Sequence, residues 1–379
     1  MTELKRVCVV GPGTRFLSGL TYYTYSLTAA LERAGHQTSA LLIRSLVPSR
    51  LYPGRARVGK QLADLSLPVR VRRVDGIDWY WGWSLARALR LLWKERPEAL
   101  VLQWWTGAVL HTYIVLAVAA RLLGAEVVIE FHEAQDVGEA KLPFVTPYMD
   151  FFGRCLLRLS AAQVAHSQFD IDLIRKRYGL NGSVALVPHA GYDYLPAQQP
   201  LRTAPPDAIN ILYFGVIRPF KGVEDLVAAF NMLSSTGYRF WLTVVGETWE
   251  GWDEPSRRIA ASPYRDRITF VNRYVTDAEA AGYFAAADLV VLPYHRSSSS
   301  GPLQIAMAKG LPVVVAKVGG LVEATAHYSG AVFAEPSNPG ALAEGIQRAA
   351  ELVGRRFHGV SSWADTVQAY SHVLDEICR

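Results

Sequence analysis

The sequence is poor in cysteine and lacks the pattern of a secretory signal peptide. Its 379 residues include three cysteines, Cys8, Cys155 and Cys378, whose spacing matches no metal-binding motif. The chain starts with Met1–Arg6 and runs directly into the short apolar stretch Val7–Val10, which is not the pattern of a leader. We therefore expect reduced thiols, no disulfide framework and a cytoplasmic protein.

Long apolar runs are also missing. The longest, Val109–Leu123, is interrupted by His111 and Arg121. A membrane-spanning helix needs about 20 predominantly apolar residues. The run therefore predicts a buried helix of a globular protein.

Apolar material for a large core is present. Half of the residues are hydrophobic and 19% are charged, which is the opposite of the balance in disordered chains. A chain of 379 residues exceeds the usual size of one domain and fits two. We expect a globular protein with two domains.

Part of the net charge of +5 comes from the segment Arg44–Arg73, which has eight basic residues and one acid, Asp64. Such a segment can bind an anionic membrane, where each cation contributes about 1 kcal/mol, or it can be an ordinary solvated loop. Both interpretations stay open, and the first predicts peripheral binding to the inner face of the cell membrane. No nucleic-acid-binding motif is present, so we expect no nucleic-acid partner. The basic residues are Arg44, Arg50, Arg55, Arg57, Lys60, Arg70, Arg72 and Arg73.

Short β-branched runs alternate with helical patterns along the chain, which predicts parallel sheets with crossover helices. The alternation stops at Pro196–Ala208, a segment with four prolines that indicates a linker, and then restarts. We predict an α/β fold with a first domain at residues 1–197, onto which a C-terminal helix at 362–379 packs back, and a second domain at 198–361. Predicted strands are Val7–Val10, Ser39–Ile43, Leu100–Leu102, Val127–Phe131, Val164–His166, Ala185–Val187, Ile209–Phe214, Phe240–Val245, Ile268–Val271, Leu289–Leu292 and Val313–Ala316. Predicted helices, besides Val109–Leu123 and the C-terminal one, are Tyr22–Ala34, Val223–Leu233, Asp277–Ala286, Pro302–Lys309 and Pro339–Val353.

Ligands of parallel sheets bind beyond the carboxyl ends of the strands, so two such domains predict a site in the cleft between them. The segment from Gly215 to Gly222 follows a predicted strand and carries Arg218 and Lys221. Arginine can bind phosphate oxygens with two parallel hydrogen bonds, and lysine adds a point charge. This pair can stabilise a leaving diphosphate without a metal. The alternative is a solvated turn with two surface cations.

Two further loops could bind an anion. The first, Gly11–Arg15, has glycines after a predicted strand, but Phe16 breaks the dinucleotide-binding fingerprint. Phosphate contact and a plain tight turn both stay open there. The other loop ends in Ser300, Gly301 and Pro302, where a predicted helix begins and its N-terminus can bind an anion; the alternative is a flexible serine-rich loop.

The acidic cluster after the strand Val127–Phe131 does not predict a metal site, because the second histidine of a zinc-protease helix is missing. The pair Asp170 and Asp172 matches the Asp-x-Asp motif of metal-dependent transferases but lies at a predicted helix start, where acids act as caps. We therefore predict no metal and no cofactor. The cluster consists of Glu130, His132, Glu133, Asp136 and Glu139.

Five segments together resemble the retaining glycosyltransferases of family four, which have the GT-B fold of two Rossmann-like domains facing across a cleft. The resemblance covers nearly the whole chain and implies that Arg218 and Lys221 bind the donor diphosphate. It also implies that His132 lies beside the donor sugar and that the first glycine-rich loop faces the diphosphate and the acceptor. The segments are SGLTYYTYSLTAALERAGH, GVIRPFKGVEDLVAAF, VVGE, AAADLVVLPY and AMAKGLPVVVAKVGGLVE.

One departure from that family concerns the donor sugar. The family usually carries two glutamates ahead of the AMA segment, and the corresponding positions here are Ser297 and Ile305. The sequence is similar to a branch in which Ser300 and Gly301 present backbone N–H groups to phosphate. Residues that could replace the glutamates are Gln304 and Glu323.

The predicted site therefore has three groups of residues and no metal ligands. The catalytic group is His132, Arg218 and Lys221. The donor-binding group is Gly13, Gly215, Gly246, Glu247, Arg273, Tyr274, Ser300, Gly301, Pro302, Gln304 and Glu323. The acceptor-binding group is Gly19, Glu133 and Asp136.

These patterns predict a retaining hexosyltransferase. It would use a UDP- or GDP-linked sugar and a glycan or lipid-linked acceptor, in the synthesis of a glycolipid, a polysaccharide or a cell-envelope glycan. Two alternatives stay open: a non-catalytic relative that binds nucleotide or glycan, and a nicotinamide-dependent dehydrogenase. The broken glycine fingerprint argues against the dehydrogenase.

Overall fold

The computed structural model divides the chain into two compact units, Met1–His189 with Ser361–Arg379, and Ala190–Val360. The first unit ends at His189, whereas the sequence pattern predicts the boundary after residue 197. Structure is described for residues 3–14, 19–45, 65–78, 81–133, 145–180, 182–192, 195–234, 239–249 and 251–378.

The first unit is built on a sheet of seven parallel strands in the order β3-β2-β1-β4-β5-β6-β7. Five helices connect them, and the buried faces of strands and helices form the core. The strands are β1 (Arg6–Pro12), β2 (Gln37–Ser45), β3 (Arg72–Asp78), β4 (Ala99–Trp104), β5 (Glu126–Phe131), β6 (Ala162–Ala165) and β7 (Val184–Leu186). The helices are α1 (Gly19–Arg33), α2 (Gly82–Glu95), α3 (Leu110–Leu122), α4 (Val145–Leu159) and α5 (Gln168–Tyr178).

The second unit repeats the same plan with six parallel strands in the order β10-β9-β8-β11-β12-β13. Both units are thus Rossmann-like, as predicted. The strands are β8 (Ile209–Phe214), β9 (Phe240–Val245), β10 (Ile268–Val271), β11 (Leu289–Leu292), β12 (Val313–Ala316) and β13 (Ala331–Ala334). The helices are α6 (Val223–Ser234), α7 (Glu254–Ala261), α8 (Asp277–Ala286), α9 (Gly301–Ala308), α10 (Gly320–Ala324) and α11 (Pro339–Ala350).

The last helix, α12 (Trp363–Ile377), belongs to the first unit and contacts α1. Ser362 caps its N-terminus by accepting a hydrogen bond from the N–H of Asp365, whose carboxylate accepts in turn from the N–H of Ser362. This reciprocal capping box fixes where the helix starts.

Two segments that could have been loops are partly β-strand. The strand β1 continues through Gly11 and Pro12, which pair with Leu42 and Ile43 of β2. The segment Arg44–Arg73 does not run as one loop, since its last two residues open the strand β3.

Another expectation holds. The run Val109–Leu123 contains the buried helix α3, as predicted. Among the helices of the described residues, none is both long and apolar enough to cross a membrane.

Candidate functional site

In the second unit the strand order reverses between β8 and β11. These two strands pair with each other, and each leads into a loop at its carboxyl end. A parallel sheet opens a crevice at such a reversal, beyond the carboxyl ends of the strands. The segment from Gly215 to Gly222 follows β8, and Pro293 follows β11. These two loops touch, because the N–H of His295 donates to the carbonyl of Phe220 at 2.9 Å.

Gly215 and Gly246 bring the loops after β8 and β9 into backbone contact. A Cβ atom on Gly246 would lie 1.8 Å from the carbonyl oxygen of Gly215, which no side chain allows. Gly215 itself has φ 129°, and a Cβ there would lie 3.4 Å from Pro302. The two glycines therefore serve close packing at the carboxyl ends of β8 and β9, and Gly215 lies next to the start of α9.

Arg218 and Lys221 are half-buried and lie against aromatic rings. The guanidinium carbon of Arg218 is 5.0 Å from the ring centre of Phe220 and 5.8 Å from that of Trp249. The Nζ of Lys221 is 3.7 Å from the ring centre of Tyr294. A ring attracts a cation through its electron-rich face but carries no net charge. These contacts orient the cations without neutralising them.

Gly222 ends the short 3₁₀ turn Pro219–Lys221 in the left-handed region, with φ 63°. A Cβ atom there would lie 2.0 Å from the carbonyl oxygen of Pro293. Only glycine meets both demands, so Gly222 fixes the course of the chain directly after the two cations. Nearby, the ring of His295 contacts the carboxylate of Asp225, with Nε2 and Oδ2 2.7 Å apart.

Ser300 caps the helix α9. Its Oγ accepts a hydrogen bond from the N–H of Leu303 at 3.3 Å and lies 3.4 Å from the hydroxyl of Tyr294. Because the hydroxyl is used for capping, a ligand contact at Ser300 and Gly301 would have to use backbone N–H groups. In the same helix, the Oε1 of Gln304 is buried without a partner among the described residues, which makes it available to a ligand.

The remaining predicted donor residues of this unit lie in the loops after β9 and β10 and in α10. The carbonyl of Glu247 accepts a hydrogen bond from the N–H of Ile217 at 3.0 Å, which places Glu247 against the loop that carries Arg218. Arg273 follows β10, at the sheet edge, and its guanidinium is paired with Glu279 at 2.5 Å; Tyr274 follows it and is half-buried. Glu247 follows β9 and accepts a hydrogen bond from the indole of Trp249 at 3.0 Å. Glu323 is exposed in α10.

In the first unit the strand order reverses between β1 and β4. Gly13 follows β1, and its N–H donates to the carbonyl of Ile43 at 2.8 Å. Gly11 serves packing, because a Cβ atom there would lie 2.1 Å from the Oε1 of Gln103 and 2.5 Å from the Oγ1 of Thr24. Gly19 is the exposed first residue of α1.

His132 belongs to a buried cluster at the ends of β5, β6 and β7. Its Nε2 is 3.4 Å from the carboxylate of Glu130, and the Nε2 of His166 is 3.5 Å from the other oxygen of that carboxylate. Glu130 also accepts hydrogen bonds from the hydroxyl of Tyr23 at 2.7 Å and the amide of Gln103 at 3.1 Å. We call Glu130, His132 and His166, with these two donors, the Glu130 cluster.

Charge within the Glu130 cluster shifts its pKa values. Burial raises the pKa of Glu130, but His132 and His166 outweigh burial and hold that pKa at about 2. Burial, followed by the charge of His132, lowers the pKa of His166 to about 4. At neutral pH the cluster therefore holds an ionised carboxylate and a neutral His166.

One predicted acceptor residue, Glu133, follows this cluster directly in the sequence. Glu133 is exposed directly after His132, and Asp136 and Glu139 lie outside the described residues. Asp170 is in the first turn of α5 with its amide bonded to the Oγ of Ser167, which agrees with the structural role predicted for it.

Three residues of the first unit were not predicted for the site: Tyr23, His166 and His189. The ring of Tyr23 lies 4.6 Å from that of His132 and 4.7 Å from that of His189. The sequence does contain a signal for His132, His166 and His189, since each of these histidines follows or ends a predicted strand. Strands that are neighbours in a parallel sheet bring their carboxyl ends together.

Comparison with known families matches both units. The family described as "Glycosyl transferase 4-like domain" matches residues 18–190, and "Glycosyl transferases group 1" matches residues 208–351. The first range falls on the unit with the Glu130 cluster, and the second on the unit with Arg218 and Lys221.

Individual relatives agree with these matches. A D-inositol 3-phosphate glycosyltransferase of Pseudarthrobacter chlorophenolicus is 30% identical over 166 residues, which are 43% of this chain and 34% of that protein. A GDP-mannose:glycolipid 4-beta-D-mannosyltransferase of Xanthomonas campestris is 34% identical over 150 residues, 38% of this chain and 39% of that protein. The chain thus spans less than half the length of either relative.

Among solved structures, Alr3699/HepE of Anabaena in complex with UDP and glucose has a TM-score of 0.67. The similarity covers 98% of this chain and all of that one at 16% identity. It shows that the two proteins share a fold.

Proposed function

The chain belongs to family four of the glycosyltransferases, which have the GT-B fold, and from this we propose that it transfers a sugar from a nucleotide-diphosphate sugar to an acceptor hydroxyl. The proposal includes retention of the anomeric configuration and assigns the chain as a hexosyltransferase.

The observation that carries the proposal is the pair of cations after β8. Arg218 and Lys221 lie at the strand reversal of the second unit, held against aromatic rings on a loop whose course is fixed by Gly222. A diphosphate that leaves a sugar develops negative charge, and preorganised cations at that place stabilise it. Backbone N–H groups at Ser300 and Gly301, with Gln304, are the proposed further contacts to the donor.

We propose a single displacement on one face of the sugar. The bond from the anomeric carbon to the diphosphate oxygen breaks, and the nucleoside diphosphate keeps the electron pair. The acceptor oxygen bonds to the anomeric carbon from the same face, and its proton passes to a diphosphate oxygen. The protein then contributes positioning and charge stabilisation rather than a covalent intermediate.

His132 is proposed to lie beside the donor sugar. It is 7% exposed at the carboxyl end of β5, where a ligand of the sheet would bind. We expect His132→Ala to lose transfer while it keeps donor binding, measured as product formation and as nucleotide affinity on the same preparation. Unchanged transfer would remove His132 from the site.

For the donor we propose a UDP- or GDP-linked sugar, and for the acceptor a glycan or lipid-linked sugar. The support comes from proteins that are similar to this chain: one solved structure holds UDP and glucose, and one relative is named for GDP-mannose and a glycolipid.

We also propose peripheral binding at the inner face of the cell membrane, through a surface that includes α2. That helix exposes Trp83 and Trp93, which are 87% and 60% accessible, beside Arg87, Arg90 and Lys94. Tryptophan prefers the membrane interface, and cations are attracted to anionic lipid. Within Arg44–Arg73 the case for membrane binding is weaker than the sequence suggests, because Arg44 pairs with Asp78 and Arg72 with Glu95. Residues 46–64 lie outside the described residues.

A panel of nucleoside diphosphates tests the donor proposal. A ligand at about 100 times its Kd stabilises the folded protein by about 2.7 kcal/mol. The matching nucleoside diphosphate should therefore raise the melting temperature, and its free base, without ribose or diphosphate, should not. Arg218→Ala should remove the shift. No shift with any nucleoside diphosphate would contradict the proposal.

Release of free nucleoside diphosphate from a nucleotide sugar then separates an enzyme from a non-catalytic relative, and no bound nicotinamide absorbance is expected.

A further inference from the structure

We propose that Glu130, His132 and His166 form a binding site for one divalent transition-metal ion of the zinc class. The site lies wholly within the first unit and is independent of the diphosphate contacts proposed for the second. The three ligand atoms lie within 4.8 Å of one another. The acidic segment after β5 could not reveal it, since the second imidazole comes from the end of β6.

Two of the separations match those between neighbouring ligands of one zinc ion. Zinc binds nitrogen and carboxylate oxygen at about 2.0–2.2 Å in a tetrahedron, so its ligand atoms lie about 3.4 Å apart. The distances from the carboxylate oxygens of Glu130 to the Nε2 atoms of His132 and His166 are 3.4 and 3.5 Å. Both Nε2 atoms are buried and have no hydrogen-bond partner among the described residues.

The tautomer of His166 also fits a metal site. Its Nδ1 lies 3.0 Å from the carbonyl of Val187, an acceptor only, so Nδ1 carries the hydrogen. The Nε2 of His166 is then the ring nitrogen that faces an oxygen of Glu130, at 3.5 Å. Histidines that bind metals commonly donate their other ring N–H to a backbone carbonyl, as His166 does.

The surroundings of Glu130 complete the site. The carboxylate is fully buried, and its ion pairs within the described ranges are with the two imidazoles, not with lysine or arginine. Burying a carboxylate is costly unless it is paired, and a divalent ion would pair with it more strongly than the imidazoles do. The hydroxyl of Tyr23 and the amide of Gln103 donate to the carboxylate and orient it. Two imidazoles favour zinc over magnesium or calcium.

The test measures Zn²⁺ binding by untagged full-length protein that has been stripped with a chelator, by competition with a chromophoric chelator and by elemental analysis. We expect about one Zn²⁺ per chain, undisturbed by excess Mg²⁺. His166→Ala and Glu130→Gln should lose this binding. Tyr23→Phe keeps all three ligands but should weaken binding by about 10–100-fold, as loss of a bond that orients a ligand does.

His36→Ala is the matched control. His36 is also a buried histidine of the first unit, but its Nδ1 accepts from the N–H of Lys5 at 3.1 Å and its Nε2 lies 3.4 Å from the hydroxyl of Ser371. It should bind Zn²⁺ like the wild type. If a ligand variant does not fold, the ligand-field spectrum of Co²⁺ bound to wild type and to Tyr23→Phe decides. No binding by the folded wild type, or equal binding by His166→Ala, Glu130→Gln and wild type, would overturn the proposal.

This proposal and the one for sugar transfer both involve His132 but can fail separately. Metal binding is measured without donor or acceptor, whereas transfer is measured with chelator present. A metal on the Nε2 of His132 would occupy the atom that could hydrogen-bond a sugar. Transfer should therefore be slower with Zn²⁺ than with chelator.

Discussion

Glu130 in the first unit is fully buried and accepts hydrogen bonds from two side chains, whereas Arg218 and Lys221 in the second unit are half-buried and lie against aromatic rings. The first charge is tied into the core by directional contacts. The other two are supported by the faces of aromatic rings. The comparison teaches that charge at the first site is coupled to folding, while charge at the second can be removed with the fold intact.

The largest expected effect is on stability, for Glu130→Leu. It deprives Tyr23 and Gln103 of their acceptor, and each unsatisfied buried donor costs about 1–3 kcal/mol. We expect a loss of about 4 kcal/mol of unfolding free energy, measured by urea unfolding with chelator present. Glu133→Leu, next to the cluster but exposed, should change it by less than about 0.5 kcal/mol. Equal losses of unfolding free energy in these two variants would show that the charge of Glu130 is not coupled to folding.

Arg218→Ala and Lys221→Ala should show the reverse pattern. Each should lower kcat by about 10²-fold or more, because the leaving diphosphate loses a preorganised cation. The unfolding free energy should stay within about 1 kcal/mol of the wild type, since both side chains are only half-buried and cation–π contacts outside the core contribute little. Arg257→Ala, on the exposed surface of α7, serves as the control for both measurements. Variants that turn over at nearly the normal rate would contradict the diphosphate assignment.

Gly222→Ala tests whether the loop after β8 is rigidly placed. The left-handed backbone costs an alanine about 1 kcal/mol, and the contact with the carbonyl of Pro293 should raise the total to about 2 kcal/mol or more. Gly251 has a similar φ of 67° with nothing within 4 Å of a Cβ atom. Gly251→Ala thus isolates the backbone cost, and only Gly222→Ala should also lower kcat. Equal effects would show that the contact with Pro293 is unimportant.

The smallest effect concerns the exposed face of α2. Arg87→Ala should weaken binding to vesicles with anionic lipid by about 5-fold, the equivalent of about 1 kcal/mol per cation, and added salt should weaken binding further. The check is co-sedimentation with anionic and with neutral vesicles, with Arg257→Ala as the control. Equal binding to anionic and to neutral vesicles would contradict the membrane proposal.

The second unit was more predictable from sequence than the first. The strands β8 to β12 have the predicted bounds because each is a run of four to six mostly β-branched, aliphatic or aromatic residues. The strand β3 escaped prediction because its sequence, RRVDGID, is polar with a glycine inside. Helix α4 carries Gly153, where a Cβ atom would lie 2.7 Å from Trp104. Tertiary packing, not helix propensity, explains that glycine.

The two candidate sites differ in the same way: the sequence predicts the site of the second unit better than that of the first. Arg218 and Lys221 are close in sequence, so a single loop after a strand reveals them. The Glu130 cluster takes its members from α1, β4, β5 and the end of β6. Its contacts depend on strand order, which local patterns do not specify. The helices α2, α4, α7 and α10 and the strand β13 were likewise not predicted, and only the start of α5 was.

The return of α12 to the first unit has a consequence for how the protein is made. The second unit is one continuous stretch, Ala190–Val360, whereas the first is completed by Ser361–Arg379. During synthesis, domains fold as units once all of their residues have emerged from the ribosome. The unit that comes later in the sequence can therefore finish folding before the earlier one. Until α12 emerges, the residues that it covers in α1 are left exposed to chaperones.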